Sequence, residues 1–176
     1  MTQPTETHEH QASATRRVYP VAEQKPTALV VYCSDPRFQH AFEEFITHEL
    51  GLAKGSYIPT VVGGGAGVLG HPEHLPKEFK FLKERFETYR EIFPTAKRVI
   101  LINHEDCRYY AELKNKVMGL LGSGAGLIEH YARHDLSLVS RTFRHLLSHL
   151  GYQVEYYYAR FADAEHKQIV IERVGT

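Results

Sequence analysis

The stretch "TALVVYCSDPRFQHAF", residues 27–42, decides the fold. Thr27 to Cys33 form a continuous apolar run carrying β-branched Val30 and Val31, the pattern of a strand buried on both faces of a parallel sheet. Phe38, Phe42, Phe45, Ile46 and Leu50 then recur at helical spacing and stop at Gly51, a natural helix terminator. A buried strand followed by a helix is the opening half of a βαβ unit. The turn between them sets a thiol, a carboxylate and a guanidinium on alternate positions: Cys33, Asp35 and Arg37.

The same alternation continues along the chain. "SYIPTVVG" (56–63) reads as a short second strand, followed by a Gly-rich loop (63–70) and a Pro/His loop (71–76). Phe79, Leu82, Phe86, Tyr89 and Phe93 trace one face of a helix that Pro94 must end. "AKRVILINH" (96–104) is a third strand. Leu136, Val139, Phe143, Leu146, Leu147 and Leu150 stripe a late helix closed by Gly151, and "YQVEYYYARFA" (152–162) supplies a fourth strand. "KQIVIERV" (167–174) gives a fifth, joined by a hairpin. The expected fold is α/β: a mainly parallel sheet of four to five strands flanked by helices. Residues 1–24 are polar and aperiodic and read as a disordered or partner-wrapping arm, leaving 25–176 as a single domain.

Composition excludes several functions. Lys plus Arg and Asp plus Glu are 21 each, so the chain carries no electrostatic footprint for nucleic acid and no basic run for a membrane surface. No stretch of about 20 apolar residues could span a bilayer. "MTQPTETHEHQASATRR" lacks the apolar centre of a signal peptide, so the expected address is cytoplasmic. The partner expected is a small molecule or another protein.

The chain has 2 cysteines, Cys33 and Cys107, too few for a disulfide scaffold, which leaves them as buried spectators, a redox pair or metal ligands. Ligands of parallel sheets bind at the carboxyl ends of the strands. Cys33 ends the first strand and "NHEDC" (103–107) ends the third, so neighbouring strands would bring both thiols and His104 together. Two thiolates and an imidazole suit zinc and leave one tetrahedral position free, as catalytic zinc sites do. The alternative is two small core hydrophobes and a hydrogen-bonded loop histidine. Asp35 and Arg37 have their own alternative, an ion pair at a helix start.

Cys33-Ser34-Asp35-Pro36-Arg37, then Ala66-Gly67, then His104-Glu105-Asp106-Cys107 resemble the β-class carbonic anhydrases, whose pattern is Cys-x-Asp-x-Arg, Arg-Asn-Ala-Gly and His-x-x-Cys. The resemblance implies one zinc per chain on Cys33, His104 and Cys107, with Asp35 and Arg37 as a catalytic dyad beside it. It implies reversible hydration of CO2 to bicarbonate by zinc-bound hydroxide, and a homodimer or higher homo-oligomer. In that family the Asp either pairs with the Arg, leaving the site open, or closes it by binding zinc. Related readings keep the zinc but act on another small electrophile, such as COS or CS2, or make the chain a non-catalytic regulatory protein with a closed site. The chain departs from the pattern at Gly64 and Gly65, where the family has Arg and Asn, which is expected to loosen the loop. It departs again at Arg108, where the family has Gly; a cation there would narrow the pocket or bind an anion.

Other motifs read as structure. Gly65-Ala66-Gly67-Val68-Leu69-Gly70 fits G-x-G-x-x-G, but "HPEHLP" follows instead of a helix, against a dinucleotide site. "GSGAG" (122–126) reads as a turn. The pairs His130/His134 and His145/His149 lack a third ligand and read as solvated or core-edge histidines. His71 and His74 are loop residues that could also line the pocket mouth as proton carriers.

Overall fold

The computed structural model describes residues 17–21, 25–73, 75–109, 111–112 and 128–175, with 128–134 as backbone only. Five strands, β1 (Ala28–Cys33), β2 (Tyr57–Val62), β3 (Arg98–His104), β4 (Gln153–Phe161) and β5 (Ile169–Arg173), form one sheet in the order β2-β1-β3-β4-β5. β2, β1, β3 and β4 run parallel, and β5 returns antiparallel on β4 as the expected hairpin. β2 is an edge strand, which is why it tolerates Pro59 without losing a ladder bond.

The apolar runs of β1 and β3 are continuous because both faces of the sheet are covered. Side chains alternate along a strand, so Leu29, Val31 and Cys33 join Val99 and Leu101 in one core, while Ala28 and Val30 join Ile100 and Ile102 in the other. The first core is covered by α2 (Pro76–Ile92), which contributes Leu82 and Phe86, and by α3 (Ile128–Thr142), which contributes Leu136 and Val139. The second is covered by α1 (Gln39–Glu44) and the π-helical turn Phe45–Glu49 that extends it, through Phe38, Phe42, Phe45 and Ile46. Gly51, at φ 65°, ends that helix in the left-handed conformation the sequence anticipates.

One local expectation is corrected. The Gly-rich segment after β2 is not a loosened loop: Gly65–Gly70 form a 3-10 helix whose residues are all buried. It packs against β1, β3 and α3. Gly65 sits at φ 53°, and a Cβ there would lie 3.0 Å from the carbonyl oxygen of Ile102 and 3.1 Å from the amide nitrogen of Cys33. Glycine is what lets this turn press against the ends of β1 and β3. α2 begins earlier than its aromatic stripe, at Pro76, where a missing N–H costs nothing. The late helix starts at Ile128 and finishes through a π turn (Phe143–Leu147) and a 3-10 turn (Ser148–Leu150). Residues 17–21 of the N-terminal arm are exposed and outside any helix or strand. The segment 122–126, His74 and the side chains of His130 and His134 lie outside the described residues.

Candidate metal centre

Strands β1 and β3 are hydrogen-bonded neighbours, with Val31 aligned to Leu101, so their carboxyl ends present Cys33 and His104 side by side. Cys107 follows β3 after a turn in which Asp106 takes φ 50°. Among the described residues, Cys33, His104 and Cys107 are the group whose ligand atoms converge, all within 4.8 Å of one another. The three are buried, at 1%, 0% and 4% exposure.

Three observations test whether this trio fits a metal. The Cys33 and Cys107 sulfurs are 3.5 Å apart and not bonded in a disulfide. Two thiolates at zinc–sulfur distances of about 2.3 Å in a tetrahedron would be separated by about 3.8 Å, so the spacing is nearly that of a chelating pair. His104 Nδ1 lies 2.7 Å from the carbonyl oxygen of Glu105, an acceptor, which places the ring proton on Nδ1 and leaves Nε2 with its lone pair. That Nε2 is buried and has no hydrogen-bond partner among the described residues. A histidine held by one nitrogen on a carbonyl while the other faces thiols is how metal-ligating imidazoles are oriented. The Cys107 sulfhydryl beside it, and next His104, hold the Cys33 thiol below its ordinary range, against the burial that would raise it. The Phe38 ring packs against the His104 ring at a tilt of 40°, centroids 4.2 Å apart, and limits its rotation.

Asp35 and Arg37 stand immediately outside the trio. Arg37 Nε and Nη2 donate to the two carboxylate oxygens of Asp35 at 3.1 and 2.7 Å, a bidentate fork, and the Arg37 amide adds a third bond at 3.0 Å. The guanidinium also donates through Nη1 to the Asp106 carboxylate at 2.6 Å and through Nη2 to the Asp106 carbonyl at 2.8 Å. It lies 5.6 Å from the Phe161 ring centroid and 5.9 Å from that of Phe38. Arg37 holds the Asp35 carboxyl below the usual carboxylate range, and the two acids in turn raise Arg37.

A cleft of about 350 Å³ opens over this corner, walled by residues 33–37 on one side and 107–109 on the other. Tyr109 also lines a second cleft of similar size beside β2 and α2. Its ring fits there because Gly63 has no side chain: a Cβ would meet the ring at 2.6 Å.

The sequence matches no family model and no curated protein. Among solved structures, the chain is similar to the β-carbonic anhydrase CafA of the fungal pathogen Aspergillus fumigatus. The identity is 17%, over 86% of this chain and 76% of that one, with a TM-score of 0.45. It is also similar to a β-carbonic anhydrase of the filamentous ascomycete Sordaria macrospora, from a pair described as tetrameric. There the identity is 15%, over 87% of this chain and 82% of that one, with a TM-score of 0.40.

The five residues singled out from the sequence, Cys33, Asp35, Arg37, His104 and Cys107, are thus brought to one corner. Others are placed elsewhere. His71 is not part of the cleft wall; its Nε2 lies 3.4 Å from the carboxylate of buried Asp135. His145 and His149 are exposed, with His149 3.9 Å from Glu87. Arg108 does line the cleft.

Sequence reasoning missed three supporting residues. Asp106 gives Arg37 its second grip. Gln39 donates its side-chain amide to the carbonyls of both Cys33 and Asp35 at 2.8 Å, pinning the turn between strand and helix. Glu105 accepts from the Phe161 amide and ties the His104 turn to the end of β4. Gln39 and Glu105 left no signal, because an amide or carboxylate at an element end is ordinary. Asp106 left a faint one, an acid between two candidate ligands.

Among the described residues, no helix is long and apolar enough to cross a membrane.

Proposed function

We propose that the chain is a zinc-dependent lyase that reversibly hydrates CO2 to bicarbonate. The observation that carries this reading is the buried His104 Nε2, without a hydrogen-bond partner among the described residues, converging on two sulfurs 3.5 Å apart beside a carboxylate held by an arginine fork. Cys33, His104 and Cys107 would hold one zinc per chain. Zinc held by three protein ligands supplies Lewis acidity, acidifying a water in the remaining coordination position.

The chain's own residues do the rest. Two thiolates cancel the formal charge of Zn²⁺, so the site needs a further group to steady a basic oxygen nucleophile. Asp35 is that group: its carboxylate keeps acceptor capacity after the Arg37 bonds and can take a hydrogen bond that aims the oxygen's lone pair at CO2. Arg37 acts as a positioning residue. With both oxygens of Asp35 engaged and Arg37 itself anchored on Asp106, the carboxylate is kept from swinging onto the metal. The pair as formed favours the open, catalytic reading over a non-catalytic protein closed by Asp35. His71 is tied to Asp135 outside the cleft wall, so buffer is the expected carrier of the released proton.

Metal analysis and stopped-flow CO2 hydration at pH 7 and about pH 8.5 test the reading. One zinc per chain with activity at pH 7 is expected. A purified chain without stoichiometric zinc sinks it, and zinc with no hydration at either pH assigns the site to a non-catalytic role. Activity on COS or CS2 in place of CO2 would change the electrophile and keep the residue roles.

A further inference from the structure

Every charged group of the cleft except one is already spoken for. Arg37 uses Nε, Nη1 and Nη2 on Asp35 and Asp106. Asp35 is held through both oxygens. Arg108 lines the same cleft, is exposed, and makes no hydrogen bond or ion pair among the described residues. It directly follows Cys107, whose sulfur belongs to the trio, and precedes Tyr109, whose ring is seated on the backbone of Gly63. That seating fixes the chain on which Arg108 is carried. A guanidinium is a planar fork of donors matched to two oxygens of a flat anion.

We propose that Arg108 is the anion-recognition residue of this cleft, binding bicarbonate through its two free oxygens and so distinguishing the charged member of the reaction pair from neutral CO2. The inference rests on the lyase reading for the identity of the anion. Arg37 is committed to Asp35 and Asp106 and has no spare pair of donors, so the Arg108 guanidinium is the cation of the cleft wall left to meet an entering anion. Ground-state recognition of this kind lowers the KM of the anion and makes the cleft sensitive to other small carboxylates.

The test uses Arg108→Ala and Arg108→Lys. Formate, a flat non-reactive anion, is titrated calorimetrically at constant ionic strength into the zinc-loaded and the metal-free chain. The wild type is expected to bind in both forms, Arg108→Ala about tenfold more weakly in both, and Arg108→Lys in between, because an ammonium keeps the charge and loses the fork. In kinetics, kcat/KM must change by the same factor in both directions, since the overall equilibrium is fixed. The diagnostic is therefore the KM for bicarbonate, which rises about tenfold in Arg108→Ala while the KM for CO2 holds. Formate affinity unchanged in Arg108→Ala, or no formate binding by either form of the wild type, overturns the inference and leaves the lyase reading standing. A chain that takes up no zinc sinks the lyase reading, and the metal-free titration still decides Arg108.

Discussion

The two halves of the candidate site are built on opposite principles. Asp35, Arg37 and Asp106 are partly exposed, at 10%, 32% and 51% of their side chains, and complete by themselves, with every charge paired inside the chain. Cys33, His104 and Cys107 are buried and incomplete, with two like thiols side by side and an imidazole nitrogen that has no hydrogen-bond partner among the described residues. A buried polar atom without a partner carries a desolvation cost that something must offset. The outer half therefore needs no ligand to persist, and the inner half is what a ligand would finish. The two should fail differently when broken.

The largest effect is expected from the inner half. Cys33→Ser replaces a soft ligand with a hydroxyl, and zinc content should fall from one per chain to a small fraction, with CO2 hydration dropping to the uncatalysed rate. Elemental analysis and stopped-flow assays read the two together; full zinc in the variant removes Cys33 from the site.

Next is Arg37→Ala. Zinc should stay, because no inner residue has changed, but Asp35 is released toward the metal and Asp106 loses its partner. Hydration should fall at least about a hundredfold at pH 7, the scale of losing an electrostatic positioning group. Stability should change by only about 1 kcal/mol, since the pair is partly exposed and screened. Arg37→Lys should recover little activity, because a point charge cannot grip both oxygens of Asp35. Wild-type activity in Arg37→Ala would take the pair out of the mechanism.

These differences also explain what was legible in the sequence. Apolar runs and helical stripes named the strands and helices because burial on both faces leaves a pattern of residue types. Cys-x-Asp-x-Arg and His-x-x-Cys were legible because ligand chemistry restricts residue identity at fixed spacing. Whether β1 and β3 are neighbours is a matter of strand order, on which the convergence of Cys33 with His104 depends, and no local pattern carries it. Asp106 works through a backbone angle, φ 50°, and a carbonyl aimed at Arg37, and neither has a residue signature beyond an acid's tolerance of that region. The Gly64-Gly65 pair misled for a related reason. Glycine signals both freedom and close approach, and only the packed structure shows that Gly65 serves the second.

Gly65→Ala tests that link between scaffold and inner half. An added methyl would press on the Ile102 carbonyl and the Cys33 amide, at a backbone angle disfavoured for alanine. The expected cost is about 1–3 kcal/mol. Because the pressure falls on the ends of β1 and β3, zinc affinity should drop as well, while the Arg37 fork on Asp35 is spared. Denaturant unfolding with and without zinc measures both. Equal stability of Gly65→Ala and wild type would mean the 3-10 helix can shift, and the turn would not be a support of the site.

The smallest effect serves as the reference for the others, because it lies in the same core and touches neither half. Tyr152 donates its hydroxyl to the Phe86 carbonyl at 2.9 Å, joining the start of β4 to α2, and burial pushes its phenol up to about 12. Tyr152→Phe should lose about 1 kcal/mol near pH 8, the net worth of one hydrogen bond, with zinc content and CO2 hydration unchanged. The sign of the pH effect follows from the raised value. Between the ordinary tyrosine range near 10 and about 12, the unfolded chain has released this proton and the folded chain has not. The contribution of Tyr152 to stability is thus full below about pH 10 and declines as pH rises through that window. Phenylalanine cannot titrate, so the gap between wild type and Tyr152→Phe should narrow from pH 8 to pH 11. Tyr32, Tyr57, Tyr156 and Tyr157, all raised first by burial, weaken both proteins alike and cancel in the difference. A gap that widens with pH would reverse the sign of the Tyr152 shift. A loss of zinc in this variant would show instead that the inner half depends on the whole core, and the contrast between the two halves would then lose its meaning.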